Sequence, residues 1–157
     1  MPHPTPDDHT LAARLATQAG ELLVGLRDRA ARDGGPTGRA LGREGDRLAH
    51  ELLVTALSEA RPDDAVLSEE GAADPHRLEA RRVWIIDPLD GTREYGEPPR
   101  TDWAVHVALV VDGEPVAGAV ALPGRGLTLA TDPPPGPPPP APARPRVVVS
   151  RSRPPAE

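Results

Sequence analysis

The sequence has 157 residues, including 22 Pro and 15 Gly but only two Trp, one Tyr and no Phe, so its core must be largely aliphatic. A formal net charge of -6 argues against a nucleic-acid polymer as partner, and the absence of Cys excludes disulfides, thiolate zinc sites and cysteine nucleophiles. No apolar run approaches the roughly 20 residues that cross a bilayer, and the N-terminus lacks a secretion-signal pattern, so we expect a cytoplasmic protein without membrane contact.

Two amphipathic helices are predicted at the start of the chain. Leucines at helical spacing indicate a helix over residues 10–32, which the glycine pair at 34–35 ends. A second leucine pattern predicts a helix over residues 46–60, ended by Pro62. An aspartate at the start of a helix is commonly an N-cap, so a capping role for Asp46 stands beside any functional one.

Two short apolar runs follow, and each predicts a strand that ends in acidic residues. Residues 65–67 lead into Glu69 and Glu70, while residues 83–86 lead into the acids of the segment 87–90. Both predicted strands therefore carry carboxylates at their C-terminal ends.

An antiparallel meander is predicted next. Residues 103–111 alternate along the strand period, a turn at Asp112 and Gly113 follows, and further strands are expected over 116–122 and 127–131. The sequence thus predicts an α+β fold with two helices layered on a largely antiparallel sheet.

Proline marks the end of this first unit, residues 1–131. Residues 132–146 are dominated by proline, which predicts a linker or surface loop, with recognition by a partner protein as the alternative. The apolar residues 147–149 predict the first strand of a second lobe over 147–157, and that lobe is incomplete in this sequence.

The segment WIIDPLDGTREY, residues 84–95, carries the most chemical information. Pro88 biases Asp87 toward an extended backbone, so its carboxylate stays at the strand end, and Asp90 and Gly91 then form a turn. The same letters also suit a solvated turn that binds nothing. The apolar strand before the turn and the acids after the neighbouring strand favour a site.

Three carboxylates of this region, from Glu69, Asp87 and Asp90, would repel one another if they were ionised side by side. A divalent cation relieves that repulsion, and oxygen-only ligands favour Mg2+ over Zn2+. A helix that opens at Thr92 would direct unpaired N–H groups toward a phosphate.

Other acidic and phosphate-binding motifs fit the segment poorly. A calcium-binding helix-loop-helix would need an acid in place of Ile86, and a haloacid dehalogenase nucleophile loop would need an acid in place of Pro88. A phosphate loop ending in lysine is excluded because the chain contains no lysine.

The segment WIIDPLDGT, preceded by LSEEG, resembles the signature of the inositol monophosphatase superfamily, an acidic pair followed by Asp-Pro-hydrophobic-Asp-Gly-Thr/Ser. The continuations TREYGE, DWAVHVALV and VVVSRSRPP are similar to the 3'(2'),5'-bisphosphate nucleotidases of actinobacterial sulfate assimilation. The resemblance implies a layered sugar-phosphatase-like fold and hydrolysis of adenosine 3',5'-bisphosphate to AMP and phosphate. Activity like that of inositol monophosphatase or fructose-1,6-bisphosphatase stays open, as does an inactive remnant that binds metal or a partner.

The resemblance also assigns roles to the residues that match the family motif. Glu69, Asp87 and the backbone carbonyl of Leu89 would hold one Mg2+. Asp87 and Asp90 would hold a second one, with Asp87 as the bridge. Thr92 would orient the water that attacks phosphorus in a two-metal hydrolysis.

Four further residues near this motif receive roles or alternatives. The resemblance implies that Asp46 supports Thr92 and that the N–H groups of Gly91 and Thr92 bind the phosphate. Glu70 is either a partner of the metal ligands or a solvated side chain. Arg93 either contacts a phosphate or is an exposed charge at the start of a helix.

The sequence departs from the family at one motif. The family carries Trp-Asp in its C-terminal half, and neither Trp84 nor Trp103 is followed by Asp. We therefore expect an incomplete copy with weakened binding of the second metal and little or no activity alone. A small phosphate ester is the expected partner, and a homodimer is left open. The histidines show no ligand spacing, which predicts surface or strand positions for His3, His9, His50, His76 and His106.

Overall fold

The computed structural model describes residues 6–71 and 79–140, together with the isolated residues 144 and 149. Two long helices come first in the chain, α1 (Pro6–Asp33) and α2 (Gly38–Ala60). The first predicted helix is confirmed, with a start four residues earlier at its N-terminus.

The predicted start of the second helix is wrong. Helix α2 begins at Gly38, about two turns before Asp46, and its N-cap is Thr37. Asp46 therefore lies inside the helix, and its predicted capping role is excluded. Glycines at 38, 42 and 45 weaken the helical signal of the first turns in the sequence, because glycine lowers helix propensity by about 1 kcal/mol relative to alanine.

A five-stranded sheet follows, and its spatial order is the order of the chain. Its first two strands are parallel and all other neighbours are antiparallel, so the prediction of a largely antiparallel sheet is confirmed. A single helical turn, α3 (Thr92–Tyr95), follows the second strand, and a 3-10 turn precedes the last one. The strands are β1 (Ala65–Ser68), β2 (Arg82–Asp90), β3 (Ala104–Val111), β4 (Glu114–Leu122) and β5 (Leu127–Ala130).

The core lies between the helices and one face of the sheet. Along β3 the side chains of Val105, Val107 and Leu109 are buried, and the residues between them are half-buried, as the predicted alternation requires. The opposite face is more open, and Ile85 on β2 is 40% exposed there. Tyr95 is fully buried, and its hydroxyl donates to the Leu23 carbonyl at 2.8 Å, which ties α3 to α1.

A buried ion cluster joins the first turn of α1 to the beginning of the sheet. The carboxylate of Asp8 is 1% exposed and accepts hydrogen bonds from Arg61 at 3.0 Å and from Arg82 at 3.1 Å. Arg82 also donates to Asp64 at 2.8 Å, and Asp64 accepts the indole N–H of Trp84 at 2.8 Å. Each buried charge of the cluster therefore faces a charge of opposite sign.

We expect Asp8→Asn to lower the free energy of unfolding by about 3 kcal/mol, because two partly buried guanidinium groups lose their shared counter-charge. Urea denaturation measures this change. Asp7→Asn is the matched control, since Asp7 also contacts Arg61 but its side chain is 76% exposed, and its loss should cost less than about 1 kcal/mol. Equal losses in the two variants would contradict a special role for the buried carboxylate.

The proline-rich segment leaves the fold after β5. Residues 132–140, its first part, form neither helix nor strand. The predicted second lobe, 147–157, lies outside the described residues except for residue 149, so the division into domains stays a prediction. Within the described ranges, the model contains no helix with the length and apolar character of a membrane span.

Candidate functional site

The acidic ends of β1 and β2 meet at one edge of the sheet. The two strands are parallel and in register, with Ser68 opposite Ile86, so Glu69 and Asp87 follow side by side. The N–H of Glu69 donates to the Ile86 carbonyl at 3.3 Å. Burial, followed by the negative charges of Glu69 and Asp90, raises the pKa of Asp87. The structure thus places the three acids that the sequence singled out at one edge of the sheet, where Glu69 and Asp90 act on Asp87 by their charge.

A fourth acid, Asp46 of α2, lies near the same edge of the sheet. Burial of Asp46 raises its pKa to about 7, and the charge of Glu70 and a hydrogen bond with it add to the shift. Asp87 and Glu69 raise the pKa of Asp46 further by their charge. Glu70, for which sequence left two interpretations, is therefore a neighbour of Asp46. Because ionisation of Asp46 opposes folding, its contribution to stability falls as the pH rises from about 4 toward 7.

The loop after Asp87 is tightly folded. The Leu89 N–H donates to Asp87 Oδ1 at 3.2 Å, and the Thr92 hydroxyl donates to the Leu89 carbonyl at 2.9 Å. Gly91 has a φ of 79°, and a Cβ on it would lie 3.0 Å from the Asp102 carbonyl oxygen, so this turn requires glycine. The predicted helix at Thr92 is only the four-residue α3, whose dipole is correspondingly small.

His106 is a neighbour of the acids that sequence reasoning missed. It lies on β3 directly opposite Asp87, and its Nε2 is 3.2 Å from Asp90 Oδ2. The strand position was predicted, but the contact with the acids was not. A bulge in β2 between Asp87 and Asp90 turns the second aspartate toward β3, and no spacing within one strand signals such a register shift.

The two other described histidines, His9 and His50, contact hydroxyl groups. His50 lies half-buried on α2, and its Nδ1 is 2.7 Å from the hydroxyl of Ser68. Ser68 is buried just before Glu69, so this contact holds the end of β1 against α2. His9 contacts Thr131 at an exposed position. The predicted positions of the other two, His3 and His76, lie outside the described residues.

The oxygen donors of the acidic edge suit a cation in their chemistry but not in their spacing. Among residues 6–71 and 79–140, no three His, Asp or Glu side chains are placed closely enough to ligate one ion. Asp90 is oriented toward His106, and Asp46 toward Glu70. The chemistry nevertheless fits a hard divalent ion, because the available donors are carboxylate, carbonyl and hydroxyl oxygens and the carboxylates repel one another.

Comparison with known proteins gives consistent matches. Residues 7–131 match the model of the inositol monophosphatase family. A 3'-phosphoadenosine 5'-phosphate phosphatase of Mycobacterium leprae is 56% identical over 128 residues, which are 76% of this chain and 46% of the relative. A 3'(2'),5'-bisphosphate nucleotidase of Salmonella typhimurium is 35% identical over 121 residues, which are 70% of this chain and 46% of the relative.

A solved structure shares the fold. The extragenic suppressor protein SuhB from Bartonella henselae superposes with a TM-score of 0.63 at 28% identity, over 77% of this chain and 46% of that one. The chain therefore spans about half the length of the relatives that it matches.

Proposed function

The chain belongs to the inositol monophosphatase family, and from that membership we propose that its acidic site hydrolyses a phosphomonoester with the help of Mg2+. The proposed reaction removes the 3'-phosphate of adenosine 3',5'-bisphosphate to give AMP and phosphate, in cytoplasmic sulfate assimilation. The substrate is supported by the names of the relatives from Mycobacterium leprae and Salmonella typhimurium.

The observation that carries the proposal is that Glu69, Asp87 and Asp46, from three different elements, lie within range of one another's negative charge. Among the described residues, no arginine forms an ion pair with Asp46 or Asp87, whereas the buried Asp8 contacts two arginines. Packing alone gives no reason to gather unpaired acids in one place, because their repulsion opposes folding. A site for a cation gives that reason.

In the proposed reaction, separate residues bind the metal ion and orient the attacking water. Glu69, Asp87, Asp90 and the Leu89 carbonyl would hold Mg2+. A bound Mg2+ would supply a water of lowered pKa and neutralise the leaving alkoxide. The hydroxyl of Thr92, fixed by its hydrogen bond to the Leu89 carbonyl, orients the attacking water.

Proton transfer and phosphate binding complete the proposal. Asp46 would take up a proton from the attacking water, because burial and the neighbouring acids raise the pKa of its carboxyl. The backbone N–H groups of Gly91 and Thr92 donate to the phosphate oxygens. These groups precede or begin α3, so they have no hydrogen-bond acceptor within that helix.

Phosphate release from three esters tests the function. We expect Mg2+-dependent release from adenosine 3',5'-bisphosphate, faster than from inositol 1-phosphate or fructose 1,6-bisphosphate, and loss of release when a chelator is added. Faster release from another ester would reassign the substrate. Mg2+ binding by calorimetry without any release would favour the metal-binding remnant instead.

A further inference from the structure

A second feature of the molecule adjoins the acidic site on the side of α2 and α3. It is a cavity of about 690 Å³ lined by one residue of the proposed machinery, Thr92, and by Gly38, Arg39, Arg43, Arg93 and Glu97. Arg43 precedes Asp46 by three positions on α2, about 4.5 Å along the helix axis. The cavity therefore begins where the acidic site ends, and its charge has the opposite sign.

Two of the three arginines of α2 line the cavity, and neither has a counter-charge among the described residues. Arg39 and Arg43 are exposed, lie one helical turn apart, and form no hydrogen bond or ion pair with any described residue. Arg47, one turn further along the same helix, donates to Glu44 at 2.9 Å and to Glu51 at 2.7 Å. Like charges at this spacing oppose one another by a few tenths of a kcal/mol, and a bound anion would relieve that repulsion.

The start of α2 adds to the positive potential of the cavity. The first turn of this 23-residue helix contains no acidic residue, and the side chain of its N-cap, Thr37, makes no capping hydrogen bond. The positive end of the helix dipole is therefore not compensated within the helix. On the α3 side, Arg93 donates to Glu97 at 3.2 Å, but its side chain is 61% exposed and lines the same space.

We propose that Arg39, Arg43 and Arg93 bind a second phosphate group of the substrate while the scissile phosphate lies at Thr92. This inference rests on the proposed function and names the residues that would select a bisphosphorylated substrate over a monophosphorylated one. Guanidinium groups suit this role because their planar donors match phosphate oxygens. Without a bound metal ion, the acids of the neighbouring site repel phosphate groups. A phosphate held by these arginines would therefore fix which end of the substrate lies at the acidic site.

AMP and adenosine test the second phosphate site without any turnover, because AMP carries only the phosphate that these arginines would hold. In the presence of a chelator, calorimetry should show that the protein binds AMP about 10-fold or more tightly than adenosine, as charge-assisted hydrogen bonds allow. The double variant Arg39→Gln/Arg43→Gln should bind the two ligands within about 2-fold of each other, with adenosine binding unchanged. Both positions are exposed, so the variant should fold.

Arg47→Gln is the matched control, because Arg47 lies on the same helix but contacts Glu44 and Glu51 and does not line the cavity. It should keep the full preference for AMP. The inference is overturned if the unaltered protein binds AMP no better than adenosine, if the double variant keeps the preference, or if Arg47→Gln loses it equally. Failure of the proposed function appears separately, as absence of phosphate release from adenosine 3',5'-bisphosphate with AMP binding intact.

Discussion

Asp87→Asn is expected to lower Mg2+-dependent phosphate release by at least about 100-fold and to weaken Mg2+ binding by at least about 10-fold. Loss of a residue that only supports a metal ligand already costs about 10- to 100-fold, and Asp87 is proposed as a ligand itself. Asparagine keeps the shape of the side chain and can still accept the hydrogen bond from the Leu89 N–H. The loss should therefore come from charge and not from rearrangement of the loop.

The free energy of unfolding should not fall in the same variant. Burial, Glu69 and Asp90 raise the pKa of Asp87, so the folded chain binds this proton more tightly than the unfolded chain does. At a pH above that raised pKa, the ionised carboxylate opposes folding, and asparagine removes the opposition. Activity and stability are thus expected to change in opposite directions, or stability not at all.

Calorimetric titration with Mg2+, phosphate release and urea denaturation measure the three quantities. Asp63→Asn is the control, because Asp63 is exposed and precedes β1, at the opposite end of that strand from Glu69. It should change none of them appreciably. Undiminished metal-dependent release by Asp87→Asn would remove this residue from the proposed metal site.

The sequence predicted the acidic edge because two local signals agree there. An apolar run before Glu69 and another before Asp87 each predict a strand, and the ends of adjacent parallel strands lie together. The place of Asp46 was harder to predict. The glycines of α2 weakened the helical pattern before it, whereas in the folded chain these turns pack closely on Thr92 and Tyr95 of α3 and on Leu23 of α1.

The contacts that sequence reasoning missed depend on pairing between distant segments. His106 meets Asp90 through the register of β2 with β3, and that register shifts at a bulge. Arg39 and Arg93 line one cavity although they are far apart in the chain. Neither of these two contacts between distant segments produces a periodic pattern within one segment. Such contacts can be recognised only when the strands and helices are assembled.

We expect Gly42→Ala to damage the site more than the fold. Helix α2 approaches α3 so closely that a Cβ on Gly42 would lie 2.7 Å from the Thr92 carbonyl oxygen and 3.0 Å from its Cγ2. Alanine must therefore push the backbone of Thr92 away. Overpacking of this kind costs about 1–3 kcal/mol, partly offset by up to about 1 kcal/mol of better helix propensity. A displacement near 1 Å at a catalytic group can lower the rate about 100-fold.

Urea denaturation and Mg2+-dependent phosphate release separate the two effects, and Gly25→Ala on α1 is the matched control. Its new Cβ would meet only the flexible guanidinium of Arg29, at 3.3 Å, so the substitution should raise the free energy of unfolding by about 0.5–1 kcal/mol and leave phosphate release unchanged. If Gly42→Ala behaves like Gly25→Ala, the close contact with Thr92 is not needed for function. A large loss of release with a small loss of stability would instead show that the glycine positions the residue that orients the attacking water.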